Sequence, residues 1–362
     1  MKRFGPIFVV IELMILPLYS QIIEIPDTAF LYVLIEQGVD INEDSLISNE
    51  EAATITSLNV SGCDISDLTG IEAFVNLITL WCNSNNLDSL DLSNHTSLVH
   101  LECGSNQLTS LDVSNNTALE RVECSRNLLT SLDVSNKTAL ERLYCGNNQL
   151  TSLDVSGCMM LWGLHCDENQ LTGLDLSTNI ALEELECGDN QLTGLDVTNV
   201  TALKYLDCQG NQLTSLDISN NILMGQGDYQ GYISLVISNM TSLGEVCVWE
   251  LPFPPSYLLI NMTGSPNVWF DTICDGISPG IEAYAFPGFS VYPNPTDDLL
   301  HIENEQPGYS TVYISSLSGR LVYSKRLEGT SYHIDLSSFH KGVYFVTVIS
   351  KEFATTRKIM KL

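Results

Sequence analysis

Seven cysteines recur at a spacing of 21 residues: Cys82, Cys103, Cys124, Cys145, Cys166, Cys187 and Cys208. Around each runs the pattern L-x-x-L-x-C-x-x-N-x-L-x-x-L-D-V-S. In one copy it reads Leu140, Leu143, Cys145, Asn148, Leu150, Leu153, Asp154, Val155 and Ser156. A fixed period of this length constrains the fold more than any other feature of the chain. One repeat is too small to bury its own leucines, so successive repeats must stack and share a continuous core. A shortened unit over 222–239 and a further one opening at Leu243, Val246 and Val248 extend the array.

Within each unit the L-x-x-L-x-C segment predicts a short parallel strand with its apolar residues pointing inward. The asparagines Asn85, Asn106, Asn127, Asn148, Asn169, Asn190 and Asn211 fall where the chain must bend. There their amides can satisfy backbone groups of the neighbouring turn. Leu98, Leu101 and Cys103 are echoed by Leu108, Leu111 and Val113, which divides the unit into two related halves and predicts extended segments on both sides. Over roughly 55–250 the pattern resembles the leucine-rich-repeat family. The expected fold is mostly β: a leucine-rich-repeat solenoid of 21-residue repeats and parallel strands, with a short helical N-terminal cap and a small Ig-like β-sandwich at the C-terminus.

Two periodic columns invite a chemical reading. The cysteines could form a thiol or metal array. However, side chains in register on parallel strands point the same way, which suits a packed, reduced ladder better than disulfides, and the paired spacing of a zinc site is missing. Cys247 and Cys274 flank the Pro-rich segment 251–255 and are candidates for a capping disulfide. Asp91, Asp112, Asp133, Asp154, Asp175, Asp196 and Asp217 form the second column. Like charges about 5 Å apart repel by about 0.8 kcal/mol in water. Either turn N–H groups and the adjacent Ser/Thr hold these carboxylates, or the row gathers cations such as calcium.

The strand face carries variable residues on this fixed frame. Trp81, Glu102, Glu123, Tyr144, His165, Glu186 and Asp207 are expected to point outward, with Arg121, Arg142, Trp162 and Tyr205 beside them. Aromatic residues and arginine are what interface centres favour, so this row is the candidate recognition surface.

The N-terminus reads as an export signal over 1–20: a basic start at Lys2 and Arg3, an apolar run from Ile7 to Leu18, and a cut ahead of Gln21. Residues 21–55 are expected to cap the repeats with a short amphipathic helix. Within them Asp40, Asn42, Asp44 and Glu51 stand at positions 1, 3, 5 and 12 of an EF-hand-like loop, with Ser45 at the sixth position, where Gly is usual. These four are the candidate calcium ligands; a plain helical cap explains them as well. The repeats then occupy 56–250, a C-terminal cap 251–275, a linker 276–288 and a final module 289–362. No later stretch is long and apolar enough to span a membrane.

That module alternates as seven short strands at 289–292, 299–303, 311–315, 321–325, 332–336, 342–349 and 356–360, a pattern for a small sandwich. Tyr292-Pro-Asn-Pro295, Ser318-Gly-Arg320, the run Lys341, Gly342, Val343, Tyr344, Phe345, Val346 and the ending Lys358, Ile359, Met360, Lys361, Leu362 resemble the type A C-terminal sorting domain of type IX secretion. The resemblance implies export across a Gram-negative outer membrane by the type IX machinery, to the cell surface or beyond. It singles out Lys341, Gly342, Tyr344, Lys358 and Lys361 as sorting-motif positions. His340 departs from the family, which often has Pro or Ala there.

Charge narrows the function. Of the 44 acidic residues, 36 lie between Gln21 and Ala285, against five basic ones, so the repeats repel phosphate backbones and nucleic acid is not an expected partner. No nucleophile elbow, His-Glu metal motif or phosphate loop is present, and the six histidines are scattered. The expectation is a non-enzymatic secreted or surface protein that binds a protein or glycan without a resident cofactor. The alternative is a passive or calcium-stabilised surface-layer component.

Overall fold

Each repeat winds once around a core of leucine and cysteine, and its first half adds one rung to a parallel ladder. The computed structural model describes residues 21–227, 232–250, 253–272, 289–293, 296, 298–316, 320–349 and 354–362. The export signal, Cys274, the linker and parts of the Tyr292–Pro295 and Ser318–Arg320 motifs lie outside them. The chain divides into two compact units, 1–160 and 161–362.

The first unit opens with α1 (Thr28–Glu36), capped by Asp27, whose Oδ1 accepts from the N–H groups of Ala29 and Phe30. Asp27 Oδ2 accepts from Ser66 N–H and Oγ and from Asp67 N–H, which ties the helix start to the first turn of the repeats. Phe30 and Leu34 are fully buried, Phe30 against Phe74. A second short helix, α2 (Asn49–Ala52), starts at a Ser48/Glu51 capping box. Parallel strands follow at β1 (Ser57–Asn59), β2 (Thr79–Trp81), β3 (His100–Glu102), β4 (Arg121–Glu123) and β5 (Arg142–Tyr144). Each pairs with the next at a register offset of one repeat, as in Leu101 with Val122.

The second unit continues the pattern with β6 (Gly163–His165), β7 (Glu184–Glu186), β8 (Tyr205–Asp207), β10 (Ile233–Val236) and β12 (Leu259–Asn261). Since β12 adds onto β10, the ladder reaches into the segment expected to cap it. Cys82, Cys103, Cys124, Cys145, Cys166, Cys187 and Cys208 are buried and reduced, a packed column. Burial pushes the Cys82 thiol up to about 12 and raises Cys124, Cys166 and Cys208 further, so they behave as small apolar groups. Cys247 is disulfide-bonded.

Two expectations need correction. Extended segments on both sides of the repeat form strands only late, in β9 (Ser215–Asp217), β11 (Glu245–Cys247) and β13 (Trp269–Asp271). Earlier second halves share too few backbone bonds for a ladder, such as the Gln107 N–H to Leu87 carbonyl at 2.8 Å. Among the described residues at the C-terminus five strands replace seven: β14 (Phe289–Tyr292), β15 (Leu299–Ser316), β16 (Leu321–Asp335), β17 (Gly342–Ile349) and β18 (Ala354–Lys361). The predicted breaks within β15 and β16 are a register shift between Glu303 and Gly308, where the pair bends without separating. β14 pairs with the first half of β15 and β17 with the second. One core (Leu300, Ile302, Val312, Ile314, Ile334, Val346) draws on both halves, so the bent sheet folds into two facing layers, a small sandwich.

Candidate functional site

Strand alternation decides which side chains face outward. On each three-residue rung the middle residue is buried and the outer two are presented, a burial pattern seen on β4, β5, β7 and β8. Trp81, Glu102, Glu123 and Tyr144 line up this way in the first unit, and His165, Glu186 and Asp207 in the second, all of them half-buried. A parallel row carries Arg121 and Arg142 in the first unit and Glu184 and Tyr205 in the second. Trp162 lies beside the row and is half-buried. It precedes β6 and contributes its carbonyl, which accepts from the N–H groups of Glu183 and Glu184. Glu184 and His100 belong to the face but were not among the predicted residues; the signal for them was the alternation itself, since each stands two positions before a predicted residue.

The two stretches of face differ in chemistry. In the first unit the Arg121 guanidinium lies 5.0 Å from the centre of the Tyr144 ring and 3.4 Å from Glu102 Oε1. Glu102 Oε2 also accepts from Asn83 Nδ2 at 3.0 Å. In the second unit His165 stands between two carboxylates, with Nε2 3.2 Å from Glu184 Oε1 and Nδ1 3.4 Å from Glu186 Oε2. Burial lowers the His165 pKa, but the Glu184 hydrogen bond and the charges of Glu186 and Glu184 outweigh it, so the net direction is upward. Burial also raises Glu186, Asp167 and Asp207, each further raised by acidic neighbours.

The aspartate column lies apart from this face. Asp91, Asp112, Asp133, Asp154, Asp175, Asp196 and Asp217 each accept the N–H of the Ser or Thr two residues on, at 2.8–3.0 Å. That N–H and the same residue's hydroxyl hold Asp91, Asp112, Asp133, Asp175 and Asp196 below the ordinary carboxylate value. In the N-terminal loop, Asp40, Asn42 and Asp44 accept from backbone N–H groups of Asp44, Ser45 and Leu46. Glu51 accepts from Ile41, Asn42 and Ser48, which turns its carboxylate onto the loop's own backbone.

The residues that the sorting-domain resemblance singles out gather where β17 meets β18. Gly342 pairs with Lys361, Tyr344 with Ile359 and Phe345 with Lys358. Lys341 immediately precedes β17 and is exposed. Tyr344 donates its hydroxyl to the His340 carbonyl at 2.8 Å, a backbone contact independent of the side chain at 340. Lys361 is buried, with Nζ 3.0 Å from Asp298 Oδ1.

Residues 290–362 match the family described as the secretion system C-terminal sorting domain. The chain is therefore a leucine-rich-repeat protein ending in a type IX sorting domain, exported to the cell surface or secreted. Among curated proteins it is similar to internalin J of Listeria monocytogenes serotype 4b, 48% identical over 50 residues, and to an ulvan lyase of Nonlabens ulvanivorans, 32% identical over 73 residues. These matches cover 14% and 20% of this chain and only 6% and 14% of those two proteins. Among solved structures, the functional domain of InlJ from Listeria monocytogenes, described as including a cysteine ladder, aligns over 87% of this chain and 92% of that one. Its TM-score is 0.48 at 22% identity. The Yersinia pestis effector YopM aligns over 66% and 68%, with a TM-score of 0.44 at 20% identity. No helix among the described residues is long and apolar enough to cross a membrane.

Proposed function

We propose that this exported protein works by binding, and that the strand face of its repeats recognises a protein or glycan outside the cell. One observation carries the reading: the frame residues repeat almost unchanged while the outward residues beside them vary in size, charge and aromaticity. Core packing explains the frame but places no such demand on half-buried outward positions. Trp81, Arg121, Arg142, Tyr144 and Tyr205 supply the aromatic and guanidinium groups on which interface energies concentrate. Among the described residues of this face, Glu102, His165, Glu184 and Glu186 lie against one another or against Arg121, an arrangement that favours binding over catalysis.

The test is a full-length variant with Trp81, Tyr144, Trp162 and Tyr205 all changed to alanine. Its binding to intact cells and to an array of surface glycans is compared with that of the unmodified protein. Losing several anchors of this kind is expected to weaken binding at least roughly 30-fold, at about 1–2 kcal/mol each. Undiminished binding by the folded variant would remove the surface assignment and leave a passive structural role.

A further inference from the structure

We propose that His165, Glu184 and Glu186 bind one divalent transition-metal cation, of the class of zinc or cobalt, on the strand face of the second unit. One ligand atom from each of the three lies within 4.8 Å of the other two. The imidazole nitrogens are already 3.2 and 3.4 Å from the two carboxylates. Tetrahedral coordination with metal–ligand bonds of about 2.0–2.1 Å places its donors about 3.3 Å apart. One ion takes a single imidazole nitrogen: Nε2 already stands beside Glu184, and the Glu186 carboxylate, now facing Nδ1, rotates towards the same ion to complete the set.

The backbone fixes this convergence. Glu184 and Glu186 are two residues apart on β7 and so share its outer face. His165 is the register partner of Glu186, whereas the partner of Glu184 is Gly163, which has no side chain. The space beside Glu184 is left to the imidazole, which reaches both carboxylates. Every other outward pair of β7 and β8 brings two side chains together.

The donor set selects the ion. One nitrogen and two carboxylates suit zinc, cobalt or nickel, whereas calcium takes six to eight oxygens at longer distances. Three protein donors leave the fourth position of a tetrahedral ion to water. A dication also neutralises the two carboxylates once the imidazole binds as the neutral base. The site goes beyond the binding face proposed above and uses none of the four aromatic residues that test it.

The experiment is titration of chelator-treated full-length protein with cobalt(II), followed by calorimetry and by the visible spectrum of the ion, with zinc added to displace it. The expected result is one site that disappears in His165→Ala and in the double variant Glu184→Gln/Glu186→Gln. Affinity should fall by more than the roughly 100-fold that loss of an outer hydrogen-bond partner can cost. Glu183→Gln removes a neighbouring carboxylate outside the group and should leave affinity unchanged. The three positions are half-buried surface residues, and circular dichroism confirms that each variant is folded. Three results would each overturn the proposal: no cobalt binding by the unmodified protein, equal binding by His165→Ala, or a thiolate charge-transfer band marking the cysteines as ligands.

Discussion

Two columns of buried side chains run through the repeats with the same 21-residue period, yet only one of them keeps its residue type. The first is the asparagine column, Asn85 to Asn211, at the end of each strand. The second lies at the opposite turn and holds His95, Asn116, Lys137, Cys158, Asn179, Val200 and Asn221, all buried. The difference lies in which backbone groups depend on them. Asn127 accepts from the Leu108 N–H at 2.9 Å and donates to the carbonyls of Cys103 and Cys124 at 3.1 and 3.0 Å. These bonds brace a corner whose preceding residue adopts a left-handed φ of 50–63° in every turn from Ser84 to Gly210. Asn116 donates to the carbonyls of Leu92 and His95, which already accept from the N–H groups of His95 and Leu98. Its own oxygen finds no hydrogen-bond partner among the described residues. The first column completes the backbone, whereas in the second Asn116 and Asn221 add donors to carbonyls that already have one. Hence an imidazole, an ammonium, a thiol or a valine can each fill the second slot.

The largest expected effect breaks the first column. Asn127→Ala removes the bond to the buried Leu108 N–H and leaves a cavity. A buried group left unsatisfied costs about 1–3 kcal/mol, so a loss of about 3 kcal/mol is expected in chemical denaturation. A loss under about 1 kcal/mol would mean that the corner closes without its amide. The sharper half of the comparison is Asn116→Val, which copies the residue at 200. It removes the unpartnered oxygen together with redundant donors, so stability should change by no more than about 1 kcal/mol in either direction. Equal losses in the two variants would erase the distinction.

This contrast also marks what was legible in the sequence. The first column announced itself because its chemistry admits one residue type, and an Asn repeated at every strand end has a physical reading from its amide alone. The second was hidden because its slot admits five residue types, and no composition pattern identifies a position defined only by burial and a donor. The same limit applied to the strand face. Its outward row could be read from alternation, but the meeting of His165 with Glu184 depends on Gly163 in the opposite register position. Trp162 stands one residue before its three-residue strand, so alternation along the strand does not reach it. In the C-terminal module the alternation read as seven short strands, whereas the pairing of Gly308 with Gly329 carries two of the expected breaks through as one long hairpin.

The smallest effect concerns one titratable occupant of the second column. His95 Nε2 lies 3.0 Å from the Ile71 carbonyl and serves as the donor, so the neutral ring carries its proton on Nε2. Burial holds its pKa below the ordinary histidine value, and the bonds to Ile71 and Leu92 offset this only in part. An unfolded chain therefore binds a proton at His95 before the folded chain does. Stability contributed by this site is complete above the ordinary histidine pKa, about 6.5, and falls as pH drops below it towards the depressed folded value. Asparagine already occupies the slot at 116, 179 and 221, so His95→Asn retains a donor and removes the titration. The variant should match the unmodified protein at pH 8 and exceed it in denaturation midpoint at pH 5. Parallel pH profiles for the two would show that the buried imidazole takes up its proton without loss, and that the second column tolerates a charge as readily as it tolerates a valine.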